Sequence, residues 1–104
     1  MAREKDRIFE LAQKISQKKG LKKTIKEYQR ILQEDPNDFK TRIKLGDIYL
    51  RRGELAKAIK EYFQVGENYI REELDLKAIA IFKKILVLNP MMIEAYYKLA
   101  DLYY

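Results

Sequence analysis

Apolar residues recur at three- and four-residue spacing along nearly the whole chain, which is the period of helices with one inward face. Ile8, Leu11, Ala12 and Ile15 share a face and predict a helix from about residue 3 to 18. Gly20 reads as a hairpin turn. A second helix follows over 21–33, with Ile25, Tyr28, Ile31 and Leu32 inward. Asp35-Pro36-Asn37-Asp38 ends it, because Pro cannot continue a helix and Asp or Asn caps the next one. The third helix, 38–51, presents Ile43, Leu45, Gly46, Ile48 and Tyr49. Gly53 supplies a turn in which a left-handed conformation is free of steric cost. The fourth helix is expected to run from Glu54 to Glu72, since a lone interior glycine costs only about 1 kcal/mol; the alternative is a break in two at Gly66. The fifth runs from Asp75, a candidate N-cap, to Asn89-Pro90, and the sixth from Met91 onward. Connections this short force neighbouring helices to pack antiparallel. The expected fold is all-α: one domain over 1–104, an antiparallel helix-hairpin solenoid of six helices with an irregular third repeat.

Composition narrows the chemistry. The 104 residues include 4 Gly and 2 Pro, which suits long helices. There is no Cys and no His, so a disulfide framework and a thiolate or imidazole zinc site are excluded. The commonest general acid/base and the strongest side-chain nucleophile are absent. Ser16 is the only serine, and the paired acids Glu34-Asp35 and Glu72-Glu73 sit at helix ends, where capping or solvation explains them. There is no Gly-rich phosphate loop. The expectation is a non-enzyme with no cofactor and no metal. No apolar run approaches the roughly 20 residues that span a bilayer, and the charged start lacks a signal-peptide core. A cytoplasmic location is expected.

Charge is uneven. Residues 1–60 carry 17 Lys/Arg against 9 Asp/Glu, a balance of +8, while residues 61–104 carry 5 against 7, a balance of −2. Lys14, Lys18, Lys19, Lys22, Lys23 and Lys26 follow one another with no acid among them. Such a block reads either as a solvated face or as an attractor of acidic partners.

Leu45-Gly46, Tyr49, Gly53, Ala58 and Tyr62 stand at the spacing of a 34-residue repeat. On these residues the chain resembles the tetratricopeptide repeat family. The unit 39–72 matches best. The unit 5–38 is recognisable through Ile8, Leu11, Ala12, Ile15, Thr24, Tyr28 and Pro36. Ala78, Phe82, Ile85 and Pro90 form a further second-helix signature whose first helix would carry Val65, Gly66 and Tyr69. Those residues already lie in the fourth helix, so that helix is expected to serve two overlapping units, the later one over about 59–92. A terminal helix, 91–104, repeats the first-helix pattern with Tyr96, Leu99, Ala100 and Tyr103.

The resemblance implies a non-catalytic scaffold that binds a peptide or helix in a concave groove lined by first helices. Carried over position by position, the implied groove residues are Phe9, Gln13, Lys40, Ile43, Lys44, Asp47, Arg51, Phe63 and Tyr97. Phe9, Ile43, Phe63 and Tyr97 would be apolar anchors, and Lys40, Lys44 and Arg51 would meet acidic groups. The family's carboxylate clamp, which uses Lys and Asn, is not matched by Phe9, Gln13 and Lys44. Tyr96, Leu99, Leu102, Tyr103 and Tyr104 make the last helix too apolar for a capping face, so self-association or a further repeat is expected there. The alternative function is binding of nucleic acid or an anionic surface by the basic N-terminal part. No column of polar base-reading residues supports it.

Overall fold

The computed structural model describes the backbone of residues 2–104, with side chains for 4–11 and 20–104. Five helices follow one another: α1 (Ala2–Glu34), α2 (Phe39–Arg51), α3 (Leu55–Arg71), α4 (Asp75–Leu88) and α5 (Ile93–Tyr103). Each packs on the next, and the described residues contain no strand. The molecule measures 61 × 32 × 17 Å.

The all-α antiparallel architecture matches the expectation, but the turn at Gly20 does not form. The segments 3–18 and 21–33 are one continuous 33-residue helix, so five helices stand where the sequence reads as six. The reason is local. A single glycine among strong helix formers costs about 1 kcal/mol, and no packing at Gly20 compels the chain to turn. A Cβ built there meets nothing within 4 Å, and Thr24 Oγ1 donates back to the Gly20 carbonyl at 3.0 Å.

The later boundaries have visible causes. Asp38 caps α2 by accepting from the Thr41 amide at 3.1 Å and the Thr41 hydroxyl at 2.7 Å. These bonds hold the Asp38 carboxyl below its ordinary pKa of 3.8. The α2–α3 and α3–α4 turns are copies of each other. Gly53 has φ +75°, and Glu54 N–H donates to the Tyr49 carbonyl at 2.9 Å. Glu73 has φ 60°, and Leu74 N–H donates to the Tyr69 carbonyl at 2.8 Å. Both are left-handed helix ends closed by a six-to-one hydrogen bond.

Helix α3 runs unbroken through Gly66 and lies between α2 and α4. Tyr62 of α3 packs onto Gly46 of α2, and Phe82 of α4 packs onto Gly66 of α3. Tyr62, Phe82, Leu45, Ile85 and Val65 are the largest fully buried side chains and form the centre of the core. Among the described side chains of α1, Ile25 and Leu32 are buried, with Leu21 and Tyr28 packed beside them. The residues described between 4 and 11 are all exposed, so this stretch of α1 lies beyond the core.

Candidate partner-binding surface

The outward side of α3 presents Lys60, Phe63, Gln64 and Glu67, spaced to share one helical face. Together with Ile59, Ala56, Met92 and Glu94 they line a cleft of about 320 Å³ between α3 and the start of α5. Phe63 forms its apolar floor. Its ring stands edge-on to Phe82 with centroids 5.2 Å apart, so it is held by the core while one side faces the cleft. The rim is mixed in charge, with Lys60 set against Glu67 and Glu94. An apolar floor with a few polar groups around it suits one apolar side chain of a ligand.

The other implied groove residues are dispersed. Ile43 is half-buried against the core. Lys40, Lys44 and Arg51 are exposed along α2, at spacings that share one face. Phe9 is 65% exposed on the projecting half of α1, roughly 24 Å along the helix from Ile25. Gln13 lies outside the described side chains. Tyr97 is 68% exposed on α5.

Asp47, partly exposed, is engaged by the two following helices. It accepts from the Tyr62 hydroxyl, and Lys84 Nζ of α4 approaches the same carboxylate at 3.4 Å. The Lys84 ammonium also lies 4.4 Å from the centre of the Tyr62 ring. Burial pushes the Tyr62 hydroxyl far above its ordinary pKa of 10.0, and the hydrogen bond to the Asp47 anion adds to the shift. Three helices are tied at this point.

On α5 the residues expected to self-associate divide between two faces. Leu99 and Leu102 are half-buried and pack on the core beside the fully buried Ala95. Tyr96, Tyr103 and Tyr104 are exposed, in line with Ile93 and Tyr97. Tyr96 donates from its hydroxyl to the Pro90 carbonyl at 3.1 Å.

Two polar features escape a motif-based reading. Arg42 pairs with Glu61 at 2.8 Å and donates to the Pro36 carbonyl at 3.1 Å, joining α2, α3 and the first loop. Asn68, in the interior of α3, is 2% exposed; its oxygen accepts from Gln64 at 3.2 Å and from Arg71, while its amide nitrogen has no partner. The signal for Asn68 was a polar residue between Val65 and Tyr69, on a buried stretch of helix. Among the described residues no cluster of acidic side chains is arranged to hold a metal, and no helix is long and apolar enough to cross a membrane.

Antiparallel helices stacked in sequence, with small residues where neighbours cross, define a helical-repeat protein. The model of the tetratricopeptide repeat family matches residues 27–60. The match starts in the last turns of α1, contains all of α2 and ends in α3. Two solved structures are similar. "Crystal structure of MamA" is 28% identical, with 76% of this chain and 54% of that chain covered and a TM-score of 0.42. "Crystal structure of MamA protein" is 27% identical, with 88% and 57% covered and a TM-score of 0.43. The chain thus spans a little over half the length of either. No curated protein matches the chain.

Proposed function

We propose that this protein is a non-catalytic interaction scaffold that takes an apolar side chain of a peptide or helix into the α3–α5 cleft. The observation that carries the reading is the position of Phe63: fixed against Phe82 on one side and forming the floor of an open cleft on the other. A preformed apolar pocket binds without first paying to order itself. Lys60, Glu67 and Glu94 around it select the polar groups flanking the anchor. Lys40, Lys44 and Arg51, exposed on α2, meet carboxylates farther along the partner. On this reading α3 serves two overlapping repeat units, 39–72 and about 59–92, and the exposed row Ile93, Tyr96, Tyr97 and Tyr103 of α5 is a second contact surface.

The test is a peptide-display selection on the intact chain, followed by titration of a selected peptide into isotope-labelled protein. Resonances of Lys60, Phe63, Gln64 and Glu67 should shift. Phe63→Ala and Lys60→Glu should each weaken binding by about tenfold, or about 1.4 kcal/mol. The exposed Lys60 keeps the test sound where Phe63→Ala loosens the fold. Shifts confined to α1, or selected peptides that bind both variants as tightly as the parent, would exclude the cleft.

A further inference from the structure

Three helices carry one pattern: a small residue, an aromatic four positions later, and a β-branched aliphatic three beyond that. It is Ala58, Tyr62 and Val65 in α3, Ala78, Phe82 and Ile85 in α4, and Thr24, Tyr28 and Ile31 in α1. At this spacing each trio shares one face. In α3 and α4 every member is fully buried, with the aromatic set on a glycine of the preceding helix. Among the described residues no separate helix precedes α1. Thr24 and Tyr28 are half-buried there and Ile31 is 40% exposed.

Register specifies the missing cover. Tyr62 follows Gly46 by the same sixteen positions that separate Phe82 from Gly66, and sixteen positions before Tyr28 stands Ala12. Ala12 and Tyr28 belong to one continuous helix, so they are roughly 24 Å apart along its axis. The first half of α1 therefore cannot cover the second half of the same straight helix. Its own apolar residues Ile8, Phe9 and Leu11 are exposed as well.

We propose that a second copy of this chain supplies the cover: two α1 helices pack antiparallel about a twofold axis at Gly20, each first half lying across Thr24, Tyr28 and Ile31 of the other copy. The pairing that joins position 12 to 28 is centred on position 20. In the α2–α3 and α3–α4 hairpins the same pairing is centred on the turns at Glu54 and Leu74. At Gly20 there is no side chain and nothing within 4 Å of where one would stand, so two backbones can cross closely. The same register opposes Phe9 to Ile31, as it opposes Ile43 to Val65 and Phe63 to Ile85 within the chain. A twofold contact satisfies both copies at once, and exchange of an equivalent element is a low-cost route to a dimer. Lys22 and Lys26 lie on the side of α1 opposite the Thr24–Ile31 face, away from the contact. The like charge of the two helices opposes the pairing at long range, so added salt tightens it. This inference does not depend on the peptide cleft.

The chain has no cysteine, so Phe9→Cys and Ile31→Cys provide a direct test. The two single variants are mixed and oxidised. A cross-linked dimer joined through positions 9 and 31 is expected, with a solution mass about twice 12.5 kDa for the parent chain by light scattering. Ile31→Glu should return the mass to that of the monomer while helix content by circular dichroism is kept. In the variant carrying both cysteines, an internal cross-link in a monomer would mean that the first half folds back at Gly20, and it overturns the proposal. A dimer that forms no 9–31 cross-link, or that survives Ile31→Glu, places association elsewhere and overturns it too.

Discussion

The ring of Phe82 occupies the space where a side chain on Gly66 would stand: a Cβ there would lie 2.5 Å from Phe82 Cζ and 3.0 Å from Ile81 Cγ2. Gly46 stands in the same relation to Tyr62, with 2.6 Å to the nearest ring carbon. Neither aromatic can retreat, because both are fully buried. Gly66→Ala and Gly46→Ala should each destabilise the fold by about 1–3 kcal/mol, despite the better helix propensity of alanine. Gly20→Ala meets no neighbour within the chain and, in the monomeric Ile31→Glu background, should stabilise by up to about 1 kcal/mol. Urea unfolding of the three variants measures the opposite signs.

Glu73 holds the left-handed position that Gly53 holds one turn earlier in the chain, at φ 60° against φ 75°. A side chain there costs about 1 kcal/mol that glycine avoids. Glu73→Gly should raise stability by about 0.5–1 kcal/mol, read as a higher thermal midpoint, and Gly53→Ala should lower it by a similar amount.

The Arg42–Glu61 pair bridges α2 and α3 at 2.8 Å, with both side chains mostly shielded from water. Removal of either partner leaves the other charge uncompensated. Arg42→Ala and Glu61→Ala should each cost about 2 kcal/mol. The double variant should cost less than the sum of the two, and chemical denaturation of the full cycle measures that coupling.

Two groups link stability to pH in opposite directions. Asp38 has a lowered pKa in the folded state, because the carboxylate accepts from Thr41. Its stabilisation is complete above the unfolded value of 3.8 and is lost as pH falls through the lower folded value. Asp38→Ala should cost about 1 kcal/mol at neutral pH, and the difference should fade in acid. Tyr62 has a raised pKa, through burial first and then Asp47. Its contribution is complete below the unfolded value of 10.0 and declines as pH rises above it, because the unfolded chain ionises first. Tyr62→Phe should therefore flatten the alkaline loss of stability, which unfolding midpoints taken between neutral and alkaline pH will show.

Sequence period alone located α2, α3, α4 and α5, because their apolar residues are spaced for one or two buried faces and their ends carry Asp38, Gly53 and Pro90. That α3 packs on both α2 and α4 is visible in its residues too, since Val65 and Gly66 repeat the pattern of Leu45 and Gly46, and Ala58 and Tyr62 lie toward its start. The surface was less legible. Nothing in the residue types of Asp47 separates a ligand contact from its bond to Tyr62, and Leu99 differs from Tyr96 only in which side of α5 meets the core.

The sequence by itself determined an all-helical repeat protein without cysteine or histidine chemistry, because helical period and residue identity are local properties of the chain. Tertiary structure decided whether the glycines bend it. Gly66 stays helical because Phe82 packs onto it, Gly53 turns because α3 folds back along α2, and Gly20 stays helical because no neighbour within the chain requires a turn there. A glycine permits each of these conformations at a cost of about 1 kcal/mol or less, so the choice falls to packing energies that only the assembled helices supply.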